Sequence, residues 1–126
     1  NGLAMQKAMQ KAINNAHTPE PIDLIIMHAP GTLNGEQAEL QAIQKVFESH
    51  IPALYSNKWL IGHTLGASGA LSMDLAIRCV QSGKQPKLPY ENISKNRDKP
   101  IQKVMINTIG FGGNASSAII SSNKLL

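Results

Sequence analysis

The sequence predicts an α/β fold, and three observations carry that reading. Segments with helical spacing of apolar residues alternate with short apolar runs. One of those runs, LIIMH (residues 24–28), is continuously apolar up to its final histidine, as in a strand buried on both faces. Two further β-rich runs, KVMINTIGF and ASSAIISS, flank a glycine turn and predict a hairpin. The predicted order is αβαβαββ.

Each element follows from its residues. In GLAMQKAMQKAINNA, Leu3, Met5, Ala8, Met9, Ala12 and Ile13 recur at helical spacing, and HTPEP stops the helix because proline cannot continue it. IDLIIMH is the first strand and APGTLNG a loop. The second helix is expected from Gly35, with Leu40, Ile43, Val46 and Phe47 on one face and acids in its first turns. IPALYSNK reads as a second strand. GASGALSMDLAIRCVQSG reads as a third helix, apolar almost all round, which implies deep burial, with Gly83 as its stop. KQPKLPYENISKNRDKP is a polar connection expected to run over the surface.

Composition bounds the function. The 126 residues suit one domain or part of a larger one, and 42% hydrophobic residues are ample for a packed core. The net charge of +4 comes without a run of basic residues or aromatic interleaving, so no nucleic-acid partner is expected; a basic surface equally suits an acidic protein. The single cysteine, Cys79, permits no internal disulfide and fits a reducing compartment. No segment reaches the roughly 18 to 20 apolar residues of a membrane span, so a cytoplasmic protein is expected. The opening NGLAMQK has no initiator methionine and already reads as helix, so a piece of a longer polypeptide is expected.

Four polar features sit at strand ends or glycine turns, where open α/β folds collect their chemistry: His28, Lys58, His63 and the turn after Asn107. Taken singly, each is more often structural. His17, His28, His50 and His63 lack metal-ligand spacing, and no cofactor loop is present, so neither metal nor cofactor is expected. Cys79 lies inside the third helix and reads as a core residue.

Taken together they form an ordered set: H-x-x-x-T-x-x-G-E-x-x-E from His28, K-x-x-x-G-H-x-x-G-A-x-G from Lys58, and N-x-x-G-F-G-G from Asn107. The set resembles the C-terminal half of β-ketoacyl-acyl carrier protein synthases, the condensing enzymes of the thiolase superfamily, over nearly the whole chain. The resemblance implies a thiolase-like half-domain across residues 1–126: a mixed sheet with helices on its faces, lacking its first strand, which is expected to be central. It implies catalytic roles for His28, His63 and Lys58. Glu39 is implied as the glutamate in the lysine's polar network, Thr32 as a threonine of the first histidine's loop, and Phe111 as the residue that gates the acyl pocket and lends its N–H to an oxyanion hole.

The implied reaction is a decarboxylative Claisen condensation of an acyl-enzyme with malonyl-acyl carrier protein, in fatty-acid or polyketide-like biosynthesis. The nucleophilic cysteine belongs to the family's N-terminal half, so this chain alone is expected to be inactive. The implied partners are acyl carrier protein bearing acyl and malonyl thioesters, the N-terminal half, and a second subunit in a homodimer or heterodimer. The alternative is a non-condensing, chain-length-factor-like partner subunit. His63 lies just before the third helix, so the positive end of its dipole is expected to keep the imidazole neutral. Gly66, Ala67, Gly69 and Ala70 are expected to let that helix approach its neighbours closely. The chain departs from the family at HAP (residues 28–30), where HGT is usual, at Glu36 for Asp, at Ile109 for Phe, and at Asn114-Ala115 for Thr-Asn. These departures suggest a divergent synthase.

Overall fold

The computed structural model describes residues 2–88 and 99–122. Helix α1 (Leu3–Asn15) leads to strand β1 (Leu24–Ile26), helix α2 (Leu33–Phe47) and strand β2 (Ala53–Tyr55). A single-turn helix α3 (Lys58–Ile61) and a 3-10 turn (Leu65–Ala67) precede helix α4 (Ser68–Ser82). Strands β3 (Lys103–Ile109) and β4 (Ala115–Ser121) close the chain. The sheet runs β2-β1-β3-β4; β1 is parallel to both neighbours, and β3 and β4 form the antiparallel hairpin. The mixed sheet with flanking helices is the architecture expected.

Strand periodicity divides the core into two layers. Leu24 and Ile26 of β1 face Ala76 and Cys79 of α4, together with Val104 and Ile106. Ile25 and Met27 point the other way, towards Met5 and Met9 of α1 and Ala42 and Ile43 of α2. This explains why β1 has no polar face: helices cover both sides, and every β1 residue is fully buried.

Five expectations are corrected. The second helix begins at Leu33 because the Thr32 side chain caps it, accepting from the Gly35 N–H at 3.3 Å. The strand predicted over 51–58 covers only Ala53–Tyr55, and Lys58 opens α3. The sheet has no vacant central place, since β1 and β3 are directly hydrogen-bonded; a further strand could join only at an edge. Helix α4 is not deeply buried: it buries Ser68, Ser72, Ala76 and Cys79, while Leu71, Met73 and Ile77 are each 41% exposed. Its near-uniform apolarity therefore marks a second face that stays exposed among the described residues. Of the two glycines at its start, only Gly69 is tightly placed: a Cβ there would lie 3.1 Å from Thr108 Cγ2, whereas one at Gly66 would meet nothing within 4 Å. Most of the predicted polar connection, residues 89–98, lies outside the described residues.

Candidate active site

The carboxyl ends of β1 and β3 bring the first and third motifs together. His28 follows β1 directly and is buried; its backbone N–H donates to Glu39 Oε1 at 2.9 Å, and the Ala29 N–H donates to Glu39 Oε2 at 2.9 Å. Glu39 reaches this point because it lies on the inward face of α2, one turn before Ile43, and it is completely buried. Asn107 Nδ2 on β3 also donates to Glu39 Oε1, at 3.2 Å. The carboxylate thus gathers three donors from two strands' ends, which satisfies a group that would otherwise be costly to bury.

The second motif supplies the facing histidine. The His28 and His63 rings meet edge-on, with centroids 5.4 Å apart and planes at 81°. The two imidazoles are held in the same way. His28 Nδ1 accepts from the Ile109 N–H at 3.3 Å, and His63 Nδ1 accepts from the Leu65 N–H at 3.1 Å. An Nδ1 that accepts carries no proton, so each neutral ring bears its proton on Nε2. The structure therefore offers two imidazole N–H donors side by side.

Electrostatics favour this arrangement. Burial, then the nearby positive Lys58, then His63, push the His28 pKa down from 6.5 to about 4, so its ring is neutral at ordinary pH. Burial raises the Glu39 pKa, opposed by its backbone and Asn107 donors and by Lys58. Burial lowers the Lys58 pKa, opposed by the charge of Glu39. His28, Glu39, Lys58 and His63 thus form one electrostatic group.

Backbone strain concentrates here as well. Ala29 and Leu65 have left-handed φ values of 34° and 51° without being glycines. Such conformations cost on the order of 1–3 kcal/mol each and gather at functional sites. The Ala29 N–H serves Glu39 and the Leu65 N–H serves His63, so both strained residues supply a site donor. In the first turn of α2, a Cβ at Gly35 would lie 2.7 Å from both Pro30 Cγ and Thr32 Oγ1; the HAP sequence is accommodated by packing Pro30 onto that glycine.

A cleft of about 440 Å³ opens beside the group, lined by Ala29, Pro30, Lys58, Trp59, His63 and Leu88 among others. His28, which is buried, is not among the lining residues. Thr64 Oγ1, next to His63, is a buried hydroxyl without a hydrogen-bond partner.

Not every expected residue joins the group. Thr32 serves as the α2 cap. Phe111 stands 97% exposed in the hairpin turn. The α-helical dipole is not what acts on His63, because α4 starts five residues later, at Ser68, and the Leu65 N–H is the local donor instead. Cys79 is buried in the opposite core layer, and burial pushes its thiol pKa up to about 11, which disfavours the thiolate. Asn107, two residues before the end of β3, joins the Glu39 group although motif reading gave it no role; its position before the glycine turn was the available signal. Among the described residues no cluster of three His, Cys, Asp or Glu could hold a metal, and no helix is long and apolar enough to cross a membrane.

The mixed four-stranded sheet with its flanking helices defines the class: a thiolase-like α/β half-domain. The sequence pattern of the family described as "Beta-ketoacyl synthase, C-terminal domain" matches residues 1–90, and the chain belongs to that family. It is 34% identical over 132 residues to 3-oxoacyl-[acyl-carrier-protein] synthase 1 of Buchnera aphidicola, covering 95% of this chain and 32% of that protein. It is 27% identical to the chloroplastic 3-oxoacyl-[acyl-carrier-protein] synthase I of Arabidopsis thaliana, covering 98% of this chain and 29% of that one. The chain thus spans about a third of the length of the curated relatives it matches. Among solved structures, the ishigamide ketosynthase/chain length factor superposes with a TM-score of 0.83 at 24% identity, over 97% of this chain and 33% of that one. A ketosynthase in complex with its type II polyketide acyl-carrier protein gives 0.83 at 21% identity, over 96% of this chain and 33% of that one. At these identities the superpositions establish the fold.

Proposed function

We propose that this chain is the C-terminal catalytic half of a β-ketoacyl-acyl carrier protein synthase. The observation that carries the reading is the pair of imidazoles 5.4 Å apart, each with Nδ1 occupied by a backbone N–H and each presenting Nε2–H. Decarboxylation of a malonyl thioester breaks a carbon–carbon bond and leaves its electron pair as an enolate, with negative charge on the thioester oxygen. Two fixed N–H donors at that oxygen lower the barrier, because they are oriented before the charge develops. The enolate carbon then attacks an acyl-cysteine thioester, and the cysteine leaves as thiolate. That cysteine belongs to sequence outside this chain, so the 126 residues alone are inactive in this reading.

Lys58 and Glu39 set the charge around the donors. Phe111, exposed here, gates the acyl site, and its N–H serves the oxyanion of the condensation step. The exposed face of α4 packs against the N-terminal half. The carrier of both thioesters is acyl carrier protein, the full protein acts as a dimer, and the compartment is the cytoplasm. The presence of both histidines and Lys58 favours a condensing enzyme over a chain-length-factor-like partner. The test is malonyl-thioester decarboxylation by the full-length protein. His63→Ala should lower it about 10²- to 10³-fold, the usual effect of removing one such donor; an unchanged rate would overturn the reading.

A further inference from the structure

We propose that Asn107 is a positioning residue for the two-histidine site, keyed by Ser117 on the neighbouring strand, and that it acts by fixing Glu39 and through it the backbone of His28. The proposal deepens the functional reading above and rests on it.

The geometry assigns every hydrogen-bonding group of Asn107. The residue is buried, and one Nδ2 proton goes to Glu39 Oε1 at 3.2 Å. The other faces Met9 Sδ at 3.5 Å. Its Oδ1 accepts from Ser117 Oγ at 2.8 Å. Asn107 and Ser117 are directly opposite in the β3–β4 ladder, so their side chains share a face and the pairing is set by register. Were the amide reversed, its oxygen would face a carboxylate oxygen and a thioether, neither of which can donate. Ser117, whose hydroxyl also lies 3.8 Å from Met5 Sδ, therefore reinforces an orientation that Glu39 demands.

The consequence reaches His28 along two routes from the same strand. Ile109, two residues beyond Asn107, donates its N–H directly to His28 Nδ1. Asn107 acts through Glu39, whose Oε1 it shares with the His28 N–H, and whose Oε2 takes the N–H of strained Ala29. Asn107 itself does not line the cleft. A donor there holds a buried carboxylate that holds a histidine; it touches no reacting atom.

The test compares Asn107→Leu, Asn107→Asp and Ser117→Ala in the full-length protein, by malonyl-thioester decarboxylation across mildly acidic to mildly alkaline pH. Asn107→Leu removes the donors at similar volume and should lower the rate about 10- to 100-fold at every pH, the scale of a misplaced catalytic group. Asn107→Asp sets a second carboxyl against Glu39, in a site also facing Lys58, His28 and His63. One carboxyl of such a pair takes up a proton as pH falls and restores the bond. Its rate relative to wild type should therefore recover on acidification. Ser117→Ala should lower the rate by up to about 5-fold, and this loss should vanish in the Asn107→Leu background. Equal, pH-independent losses in the Asp and Leu variants would overturn the proposal, as would an unchanged rate in Asn107→Leu. Should Asn107→Leu fail to fold, the pH recovery of Asn107→Asp decides. A wild-type protein without decarboxylase activity would sink the functional reading alone. Nitrogen NMR of the His28 ring then decides the positioning claim: the hydrogen-bonded state of Nδ1 should be lost in Asn107→Asp at neutral pH, and an unaltered signal would contradict it.

Discussion

The two imidazole rings are held alike, but the segments that carry them are anchored differently. His28 is buried, and its backbone and ring are tied to α2 and β3 through Glu39, Asn107 and Ile109. His63 is exposed, on a segment between a one-turn helix and a 3-10 turn, and its ring takes a local bond from Leu65 two residues away. One half of the site is thus an extension of the core, while the other depends on local backbone geometry. Substitutions around His28 should therefore change stability together with activity, whereas those around His63 should change activity with little effect on stability.

The largest expected effect tests the core-built half. Glu39→Leu would leave the His28 N–H, the Ala29 N–H and one Asn107 proton without their acceptor. Each stranded buried donor costs about 1–3 kcal/mol; with two of the three buried and the Ala29 N–H part-buried, the full-length protein should lose at least about 2 kcal/mol in denaturant unfolding. A loss below about 1 kcal/mol would mean that the carboxylate does not organise this end of the sheet.

Acid sharpens the same contrast. The ordinary pKa of His28 is 6.5 and the folded value about 4. Between those values the unfolded chain binds a proton that the native state refuses, so this contribution is intact above pH 6.5 and falls as the pH drops towards about 4. The raised pKa of Glu39 acts with the opposite sign. Stability measured against pH should decline over the histidine range, and the decline should be reduced in His28→Gln. An undiminished slope in that variant would assign it elsewhere.

The smallest effect is expected beside His63. Thr64 Oγ1 is buried without a partner, so Thr64→Val removes no hydrogen bond. Its unfolding free energy should stay within about 0.5 kcal/mol of wild type or rise. A loss above about 1 kcal/mol would show that the loop carrying His63 is tied into the core after all.

Much of this was legible in the chain. The helix periodicity, the apolar β1 run and the hairpin residues determined the elements, and the three motifs picked out His28, Glu39, Lys58 and His63 before any geometry. Other features resist sequence reading for physical reasons. Helix α4 shows why burial cannot be inferred from apolarity alone: its second face is apolar but stays exposed among the described residues. Thr32 moved the start of α2 through a side-chain cap that the glycine three residues further on disguised. The Asn107–Ser117 pair depends on strand register, which a glycine turn of uncertain geometry leaves open until the ladder is seen. The strained φ of Ala29 is equally invisible in an alanine codon-for-codon reading, since only backbone coordinates reveal it.

The central claim is that both imidazoles present Nε2–H while Nδ1 accepts from the backbone. Nitrogen NMR of histidine-labelled full-length protein at neutral pH tests it most directly. The account predicts an unprotonated, hydrogen-bonded Nδ1 on both His28 and His63; a proton on Nδ1 of either ring would contradict it.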